Sequence, residues 1–309
     1  MLHVFSAGFS RRFSRSLLSL GMLALLGVCP GLWCEKLYGQ TAVSAAQDGA
    51  SASQLRVADR VTPQTNPVVE HPLMPAIRWA YQGLQDLQKI QDYSAIMVKR
   101  ERVNGKLNDP EYAFVKIRHK PFSVYMHFLE PAAVKGQEVI YVEGQNDGKM
   151  WAHPAGLKNK LIGTVSLDPT GPIAMQNNRY PITEIGVLNL VRRLIEVGEQ
   201  DMKYGECEVK FFEGAKINDR TCTCIQVVHP VPRRNFRFHL ARIYVDTEHN
   251  VPVRYESYDW PTEPDGAPQL IEEYTYLNIK VNNGFTDLDF DIRNPNYAFR
   301  VKESSQGQQ

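Results

Sequence analysis

The sequence has no surplus of charge of either sign. Its 309 residues include 35 lysines and arginines and 34 aspartates and glutamates, which gives a formal net charge of +1. Nucleic-acid-binding domains carry a basic face or stripe, and the sequence has no such stripe, so we exclude nucleic acid as a partner. The sequence also lacks an internal repeat and a coiled-coil period, which argues against solenoid and fibrous folds.

Catalytic signatures are missing as well. The chain contains no His-Glu-x-x-His, Gly-x-Ser-x-Gly, P-loop or dinucleotide-binding pattern, and each of these marks a common type of metal, nucleophile or nucleotide site. We therefore predict a protein that is not an enzyme, with no cofactor, no metal site and no catalytic residue. One alternative stays open, which is a polar cluster formed by His127 and His153 if they lie on neighbouring strands.

Cysteine is scarce, at five residues. Cys29 and Cys34 fall in the N-terminal segment, which leaves Cys207, Cys222 and Cys224 in the main domain. A metal site with the histidine of the same strand is disfavoured, because side chains alternate along a strand and that histidine would face away. We interpret these cysteines as small apolar core residues.

The pairing of Cys207 depends on the turn between two predicted strands. A turn at 214–215 would place Cys207 opposite Cys222 and permit a disulfide. A turn at Asn218–Asp219, the better turn dipeptide, would place it opposite Pro230 instead. We favour the second register and predict no Cys207–Cys222 bridge.

An apolar run near the N-terminus extends from about Leu17 to Val28 and follows three arginines within residues 11–15. It is shorter than a comfortable membrane span, and small residues follow it, which is typical of a cleaved export signal. An uncleaved N-terminal anchor is the alternative. We predict a protein exported to the periplasm or cell envelope, with an export signal at 1–45, a disordered linker at 46–72, one domain at 73–300 and a disordered tail at 301–309. Removing residues 1–45 would leave a net charge of about −2.

Extended segments dominate the domain, and tight turns join them. So many consecutive strands favour a mainly β fold built on one strongly curved antiparallel sheet. The predicted strands are 94–103, 111–119, 122–129, 137–143, 149–153, 206–217, 220–229, 236–246, 251–258, 269–281 and 285–290.

Two segments have a helical period instead. The first begins at Met74, and the second begins with Thr183 as its cap and ends at Gly198. The apolar residues of the second helix cover nearly half of its circumference, so they need an equally apolar partner surface. Residues 163–178, just before it, are predicted to form a long functional or mobile loop.

Both faces of the predicted strand 122–129 carry bulky side chains, whereas an ordinary one-sided sheet is polar on its second face. Two interpretations follow for the apolar residues of this region. They form a core closed by the helices with no cavity, or they line a groove that suits a flexible apolar ligand. The residues are Phe122, Val124, Met126, Phe128, Ile140, Tyr141, Met150 and Trp151.

The stretch "VKIRHKPFSVYMHFLEP", followed by a strand and then "DGKMWAHP", resembles the periplasmic lipoprotein-carrier (LolA/LolB-like) superfamily. Lys120–Pro121 and Glu130–Pro131 take its two proline corners, and residues 147–154 take its Asp-Gly-Lys hairpin. The later hairpin at 245–253 resembles one of its closing strand pairs, and the matches span roughly 74–292. More closely, the chain resembles an uncharacterised family of exported proteins known mainly from planctomycete-type bacteria.

The resemblance implies an incomplete antiparallel β-barrel of about eleven strands, with helices plugging its concave side. It places Val124, Met126 and Phe128 on the concave face, which would leave Tyr125 and His127 partly exposed on the other face. Lys120 takes a basic lid-contact position. The predicted ligand-binding residues are Lys120, Phe122, Val124, Met126, Phe128, Ile140, Trp151, Leu188, Val191 and Ile195.

The leading hypothesis is an envelope protein that binds a hydrophobic ligand, either a lipid or a lipoprotein acyl chain, and carries it. The second helix and the loop before it would act as plug or lid, and peripheral contact with a membrane would fit this role. The alternative is a non-enzymatic interaction or sensor module that binds another envelope protein through a sheet edge or through the basic patch at 233–237.

Overall fold

The structure covers most of the predicted domain at 73–300. The computed structural model describes residues 70–156 and 162–300. The predicted export signal, most of the predicted linker and the predicted tail lie outside these residues. The last linker residues belong to the folded part, because Glu70 forms an ion pair with Arg78 and His71 Nε2 lies 3.0 Å from the carbonyl oxygen of Tyr204.

The described residues form twelve strands, three α-helices and short 3₁₀ turns. The helices are α1 (Met74–Leu87), α2 (Pro172–Met175) and α3 (Val187–Asp201). The strands are β1 (Asp92–Val103), β2 (Lys106–Leu107), β3 (Glu111–His119), β4 (Phe122–Glu130), β5 (Glu138–Val142), β6 (Met150–His153), β7 (Val165–Leu167), β8 (Glu208–Ile217), β9 (Arg220–Val228), β10 (Leu240–Asp246), β11 (Val251–Asp259) and β12 (Gln269–Val281). In this part of the chain no helix is long and apolar enough to cross a membrane.

All strands belong to one antiparallel sheet in the order β7-β6-β5-β4-β3-β1-β12-β11-β10-β9-β8, with β2 paired to β1. The pairing of β1 with β12 joins the two halves of the chain, so that β7 and β8 form the edges and the sheet is not closed into a barrel within the described residues. The prediction of a mainly β fold with about eleven strands and added helices is confirmed.

Two segments differ in type from their prediction. The segment 285–290 is not a strand but contains a 3₁₀ turn, Asp287–Phe290. Thr286 caps this turn reciprocally with Asp289, whose carboxylate accepts the Thr286 N–H at 2.9 Å, and such a capping box favours a helical turn over extended backbone. The segment 163–178 is not a plain loop, because it contains β7 and α2.

Helix α3 begins and ends later than predicted. Thr183 lies in a 3₁₀ turn, and α3 starts after Gly186, whose φ of 106° is accessible to glycine. The Val187 N–H donates to Tyr93 Oη at 2.9 Å, which fixes the start of the helix to β1. Gly198 is a buried residue within α3 rather than its end, and a Cβ at this position would collide with Ile77 Cδ1 of α1. Glycine therefore permits the close packing of the two helices.

We call the sheet face on which α1 and α3 pack the inner face. Side chains of β1, β3 and β4 on this face form one core with Val187, Val191 and Ile195 of α3. A second core joins Ile77 of α1 to β9, β10 and β11. The wide apolar face of α3 thus finds the partner surface that its pattern requires.

The opposite, outer face of β3 to β6 is covered by the segment that follows β12. Tyr297 stacks on Tyr125 with ring centroids 4.0 Å apart, and Phe290 and Phe299 join the same cluster. Tyr125 is therefore only 5% exposed, and its predicted partial exposure is wrong. This segment, residues 282–299, answers the question raised by the apolar second face of β4.

The turn at Asn218–Asp219 is confirmed, since β8 ends at Ile217 and β9 begins at Arg220. Cys222 lies opposite Ala215, and the three cysteines of the described residues are all free. A β-bulge between Phe212 and Ala215 shifts the ladder by one residue beyond that point. The predicted position of Cys207 relative to β9 is displaced by the same step.

Candidate binding cavity

A cavity of about 990 Å³ lies between the inner face of the sheet, α3 and the segment at 162–186. Helix α3 packs on the inner face of the sheet. Strand β7 forms the edge of the sheet, and residues 169–186, which connect it to α3, border the cavity opposite the inner side chains of β4 to β7. Its position in the fold matches that of the predicted groove.

Most of the cavity wall is apolar. The three methionines come from three different strands, which gives the wall flexible side chains that adapt to an irregular ligand. The main apolar lining residues are Met97, Met126, Phe128, Val139, Met150, Ala152, Val165, Leu167, Ile173, Ile185, Leu190, Leu194 and Val197.

One end of the cavity is polar. The register of the sheet builds this end, because Glu101 on β1 lies opposite Glu272 on β12, and Lys99 lies between Tyr274 on β12 and Glu111 on β3. These side chains share the inner face with the apolar wall, since they stand at even spacings along each strand. The polar end is therefore part of the same cavity.

Hydrogen bonds tie the polar end to the loop before α3. Arg179 Nε donates to Glu272 Oε2 at 2.7 Å, and Tyr180 Oη donates to Glu272 Oε1 at 3.3 Å. The Arg179 N–H donates to Glu101 Oε2 at 3.1 Å, and Tyr274 Oη donates to the other oxygen of Glu101. Lys99 Nζ lies 3.0 Å from Glu111 Oε2.

The carboxylates at this end interact electrostatically, and their surroundings shift the pKa values of several groups. Burial raises the pKa of the Glu272 carboxyl, Arg179 opposes this shift, and the nearby Glu101 carboxylate adds to it. Burial together with Glu272 and Glu101 raises the pKa of Tyr274 well above its ordinary value. Burial also raises the pKa of Tyr180 to about 12. Burial is the leading cause of each of these shifts, so this end favours the neutral forms of Glu272, Tyr274 and Tyr180.

Two of the ten predicted binding residues, Met126 and Phe128, line the cavity. Five others pack in the inner core without lining it, and they are Phe122, Val124, Leu188, Val191 and Ile195.

The remaining predicted binding residues lie elsewhere. Ile140 and Trp151 point to the outer face and pack under the segment 282–299, because side chains alternate along β5 and β6 and their neighbours Val139, Met150 and Ala152 take the inner positions. Lys120 is exposed at the corner between β3 and β4.

His127 and His153 do flank one carboxylate, but on the outer face. Glu138 on β5 lies opposite both of them in the ladder, and His127 Nδ1 is 3.4 Å from Glu138 Oε1. Glu138 also accepts hydrogen bonds from Tyr125 Oη at 2.9 Å and from the Ala298 N–H at 2.7 Å. The two histidines therefore face the covering segment and not the cavity.

Sequence reasoning missed the polar end entirely. Lys99 and Glu101 follow Met97 at spacings of two, a local sign that charged groups share a face with core residues. The partner Glu272 is 171 positions away from Glu101 and no local pattern connects them.

Among the described residues, one cluster has the spacing of a metal site. Asp246, Glu248 and His249 offer ligand atoms within 4.8 Å of one another. Arg220 Nη1 already lies 2.6 Å from Asp246 Oδ2 and 3.6 Å from Glu248 Oε2. The arginine satisfies these carboxylates, so the cluster carries no metal assignment.

Residues 90–299 of the chain match the family described as "Protein of unknown function (DUF1571)". The chain belongs to the DUF1571 family. The match covers all twelve strands, the cavity and the outer covering segment. It gives no organism, so the planctomycete-type distribution stays a prediction. No curated protein matches the DUF1571 chain.

Several solved structures are distantly similar to this DUF1571 protein. The Mycobacterium tuberculosis lipoprotein LppX is 13% identical, with 69% of this chain and 98% of that chain covered and a TM-score of 0.40. The LolA superfamily protein NE2245 from Nitrosomonas europaea is 11% identical, with coverage of 69% and 97% and a TM-score of 0.29. The Pseudomonas aeruginosa MucA/MucB complex matches at 14% identity, with coverage of 70% and 60% and a TM-score of 0.39. These similarities are too distant to support a functional assignment.

Proposed function

We propose that this is an exported, non-enzymatic envelope protein that binds a hydrophobic ligand, a lipid or a lipoprotein acyl chain, in the inner cavity. The observation that carries the proposal is a largely apolar cavity of about 990 Å³. Pockets that enclose small-molecule ligands measure roughly 300–1,000 Å³ and are mostly apolar with a few polar groups. The cavity is at the upper end of this range, which suits a long flexible chain.

Apolar burial would supply the affinity. Each 100 Å² of ligand surface removed from water contributes roughly 2.5 kcal/mol before the cost of ordering the ligand. Met97, Met126 and Met150 can change rotamers to follow an acyl chain of variable shape. The cavity would therefore accept acyl chains of different shapes rather than one rigid molecule.

Two exposed apolar side chains at the cavity rim support entry of the ligand into the cavity from a membrane surface. Ile162 is 54% exposed and Ile173 is 72% exposed, and both line the cavity. Large apolar side chains at a cavity rim are suited to contact with lipid or with a lipid-bearing protein. Carriage of the ligand between envelope sites would use this rim.

The test is uptake by protein purified without detergent. We expect native mass spectrometry to detect co-purified lipid, and stripped protein to bind a fluorescent fatty acid. Ala152→Phe, which fills the cavity with an apolar ring, and Met126→Asp, which places a charge in it, should each weaken uptake at least about tenfold.

Leu288→Asp is the matched control, because Leu288 is 52% exposed and does not line the cavity. It should leave uptake unchanged, and circular dichroism should show all three variants folded. Absence of co-purified lipid together with no uptake by folded wild-type protein would contradict the proposal.

The absence of catalysis is part of this proposal. The carboxylates in the cavity, Glu101 and Glu272, accept hydrogen bonds from the protein itself, which suits a structural and electrostatic role. His127 lies beside Glu138 on the outer face and not in the cavity, so His127→Ala should leave ligand uptake and carriage intact. Loss of function in that variant would favour an enzyme instead.

A second candidate function is recognition of a protein partner through the β8 edge. Phe211 and Phe212 are 41% and 47% exposed on this strand, which pairs with β9 on one side in the described part of the chain. Phe212→Asp should then abolish crosslinking of an envelope partner and leave lipid uptake intact, whereas Met126→Asp should have no effect on the partner.

A further inference from the structure

The polar end of the cavity is acidic. Among the described residues, Glu101, Glu111 and Glu272 line it, and Lys99 is the one basic residue on the sheet that does so. Arg179 pairs with Glu272 from the loop, which brings the cations to two against three carboxylates. The other charged lining residues are balanced in number, and they are Glu184, Glu196, Arg192 and Arg193.

The same end is also aromatic. Tyr255 lies opposite Tyr274 in the ladder, and the Tyr180 ring is 6.5 Å from the Tyr274 ring at 54° between the planes. All three tyrosines line the cavity. Tyrosine faces attract ammonium groups, and aromatic cages are the usual surroundings of quaternary ammonium ligands.

We propose that the polar end of the cavity holds the cationic head group of an amphiphile whose apolar chain lies along the methionine-lined wall. This inference rests on the proposed function and narrows its ligand class. The head group would meet Tyr180, Tyr255 and Tyr274 and would offset the one negative charge by which the three carboxylates outnumber their partners Lys99 and Arg179. The ligand class is a single- or double-chain lipid with an amine or quaternary ammonium head and no net negative charge.

Electrostatics decide between the possible heads. A phosphate, sulfate or carboxylate head would bring a further negative charge next to Glu101 and Glu272, in surroundings where little water screens the repulsion. An uncharged head would leave the excess negative charge as it is. A cation instead offsets a buried charge that is costly when uncompensated.

The test compares three amphiphiles of equal chain length. Stripped protein is loaded with the uncharged apolar probe N-phenyl-1-naphthylamine, which is then displaced by decyltrimethylammonium, decyl sulfate or 1-decanol below their aggregation concentrations. We expect the cation to displace the probe at about tenfold lower concentration than the anion, with the alcohol in between. Tenfold corresponds to ~1.4 kcal/mol.

Glutamate variants test which residues cause the preference for a cationic amphiphile. Glu101→Gln and Glu272→Gln each remove one negative charge and should reduce the ratio of anion to cation concentration toward one. Glu111→Gln serves as a milder variant, because Glu111 is partly solvent-exposed and its loss disturbs the buried pair less. Glu208→Gln on the exposed β8 edge is the control and should keep the wild-type ratio.

The outcomes separate this inference from the proposed function. If the wild-type protein binds no probe, the cavity is not a lipid site and both fail. If it binds the probe but prefers the anion, or takes cation and alcohol equally, the head-group inference is overturned and the apolar site stands. The same holds if the glutamate variants keep the wild-type ratio.

Discussion

Asp201 is a buried carboxylate at the C-terminal end of α3. It is 4% exposed, and its Oδ2 lies 3.5 Å from Nε2 of the fully buried His229. Burial raises the pKa of Asp201 to about 6, against the opposing effects of Arg237 and His71. Burial lowers the pKa of His229. A negative charge at a helix C-terminus is also unfavourable with respect to the helix dipole.

Asp201→Asn should therefore stabilise the protein at neutral pH. The folded pKa of about 6 lies above the model-peptide value near 3.8. The folded state thus binds the proton more tightly, and the stability that Asp201 contributes is present below about pH 4 and lost as the pH rises through 6. We expect the variant to exceed wild type by ~1–3 kcal/mol at pH 7.5 and by less at pH 4.5.

Urea unfolding of both proteins at the two pH values measures this difference. Asp109→Asn, at an exposed position, is the control and should change stability by less than about 0.5 kcal/mol at either pH. An Asp201→Asn effect of the same size at both pH values would show that the carboxylate is not the titrating group.

Tyr297 connects the outer covering segment to the sheet through an aromatic stack. Its ring stacks on Tyr125 and lies 5.5 Å from Lys116 Nζ, and Lys116 in turn pairs with Asp289 at 2.7 Å. Tyr297→Ala removes the stacking and the cation–π contact, so we expect a loss of ~2–4 kcal/mol in the free energy of unfolding. The exposed Phe212→Ala should cost less than about 0.5 kcal/mol in the same urea titration.

The packing of α1 on α3 depends on one glycine. A methyl group at position 198 would collide with Ile77 Cδ1, so Gly198→Ala should destabilise the protein by ~1–3 kcal/mol despite the better helix propensity of alanine. Ile77→Val removes the colliding atom. In that background Gly198→Ala should be neutral or stabilising, by up to about 1 kcal/mol.

A double-mutant cycle on thermal or urea unfolding tests this directly, since contacting residues show non-additive effects. Additive effects of Gly198→Ala and Ile77→Val would contradict the close approach of the helices. They would also leave the burial of Gly198 within α3 without a packing reason.

Elements with a strong local pattern could be predicted from the sequence. The bounds of β3 and β12 agree with the prediction, and the turn before β9 follows from its Asn-Asp dipeptide. The failures are elements whose signals compete or whose partners are distant. Thr286 and Asp289 favour a 3₁₀ turn in a segment that was predicted as a strand, and β7 has only three residues.

The candidate site was less predictable than the fold because it depends on pairing across the whole chain. The resemblance to the lipoprotein-carrier superfamily placed Met126 and Phe128 on the correct face of β4. Ile140 and Trp151 were chosen because apolar residues are concentrated in this region, and they lie on the other face of their strands. The polar end arises where β1 meets β12, with Glu101 opposite Glu272. A single sequence carries no local signal for that contact.

At the scale of the molecule, the sheet is covered on both sides by different parts of the chain. Helices α1 and α3 cover the inner face, and residues 282–299 cover the outer face of β3 to β6. The cavity lies between the inner side chains of β4 to β7, helix α3 and residues 169–186, which connect the edge strand β7 to α3. A chain with only the inner cover would expose an apolar outer surface of the kind that promotes association.

The outer cover is therefore expected to be required for folding, which truncation tests. Deleting residues 282–309 removes the N–H groups of Asn283, Gly284 and Phe285, which donate to the buried Asp92 at 2.6, 3.1 and 3.1 Å. It would leave a carboxylate that is 3% exposed without these partners, in addition to uncovering the aromatic cluster. Losing such bonds to a buried charge costs several kcal/mol, so we expect no cooperative thermal unfolding and no soluble monomer.

Two shorter deletions should destabilise the protein less than the deletion of 282–309. Removing residues 301–309 leaves all the described contacts of the cover in place and should change the unfolding temperature little. Removing 296–309 keeps the Asp92 contacts but loses Tyr297, Phe299 and the Ala298 N–H that donates to Glu138 at 2.7 Å. That protein should fold with a clearly lower unfolding temperature, because a buried carboxylate and an apolar surface are both uncovered. A 282–309 deletion that unfolds at the wild-type temperature would show that the inner core alone specifies the fold.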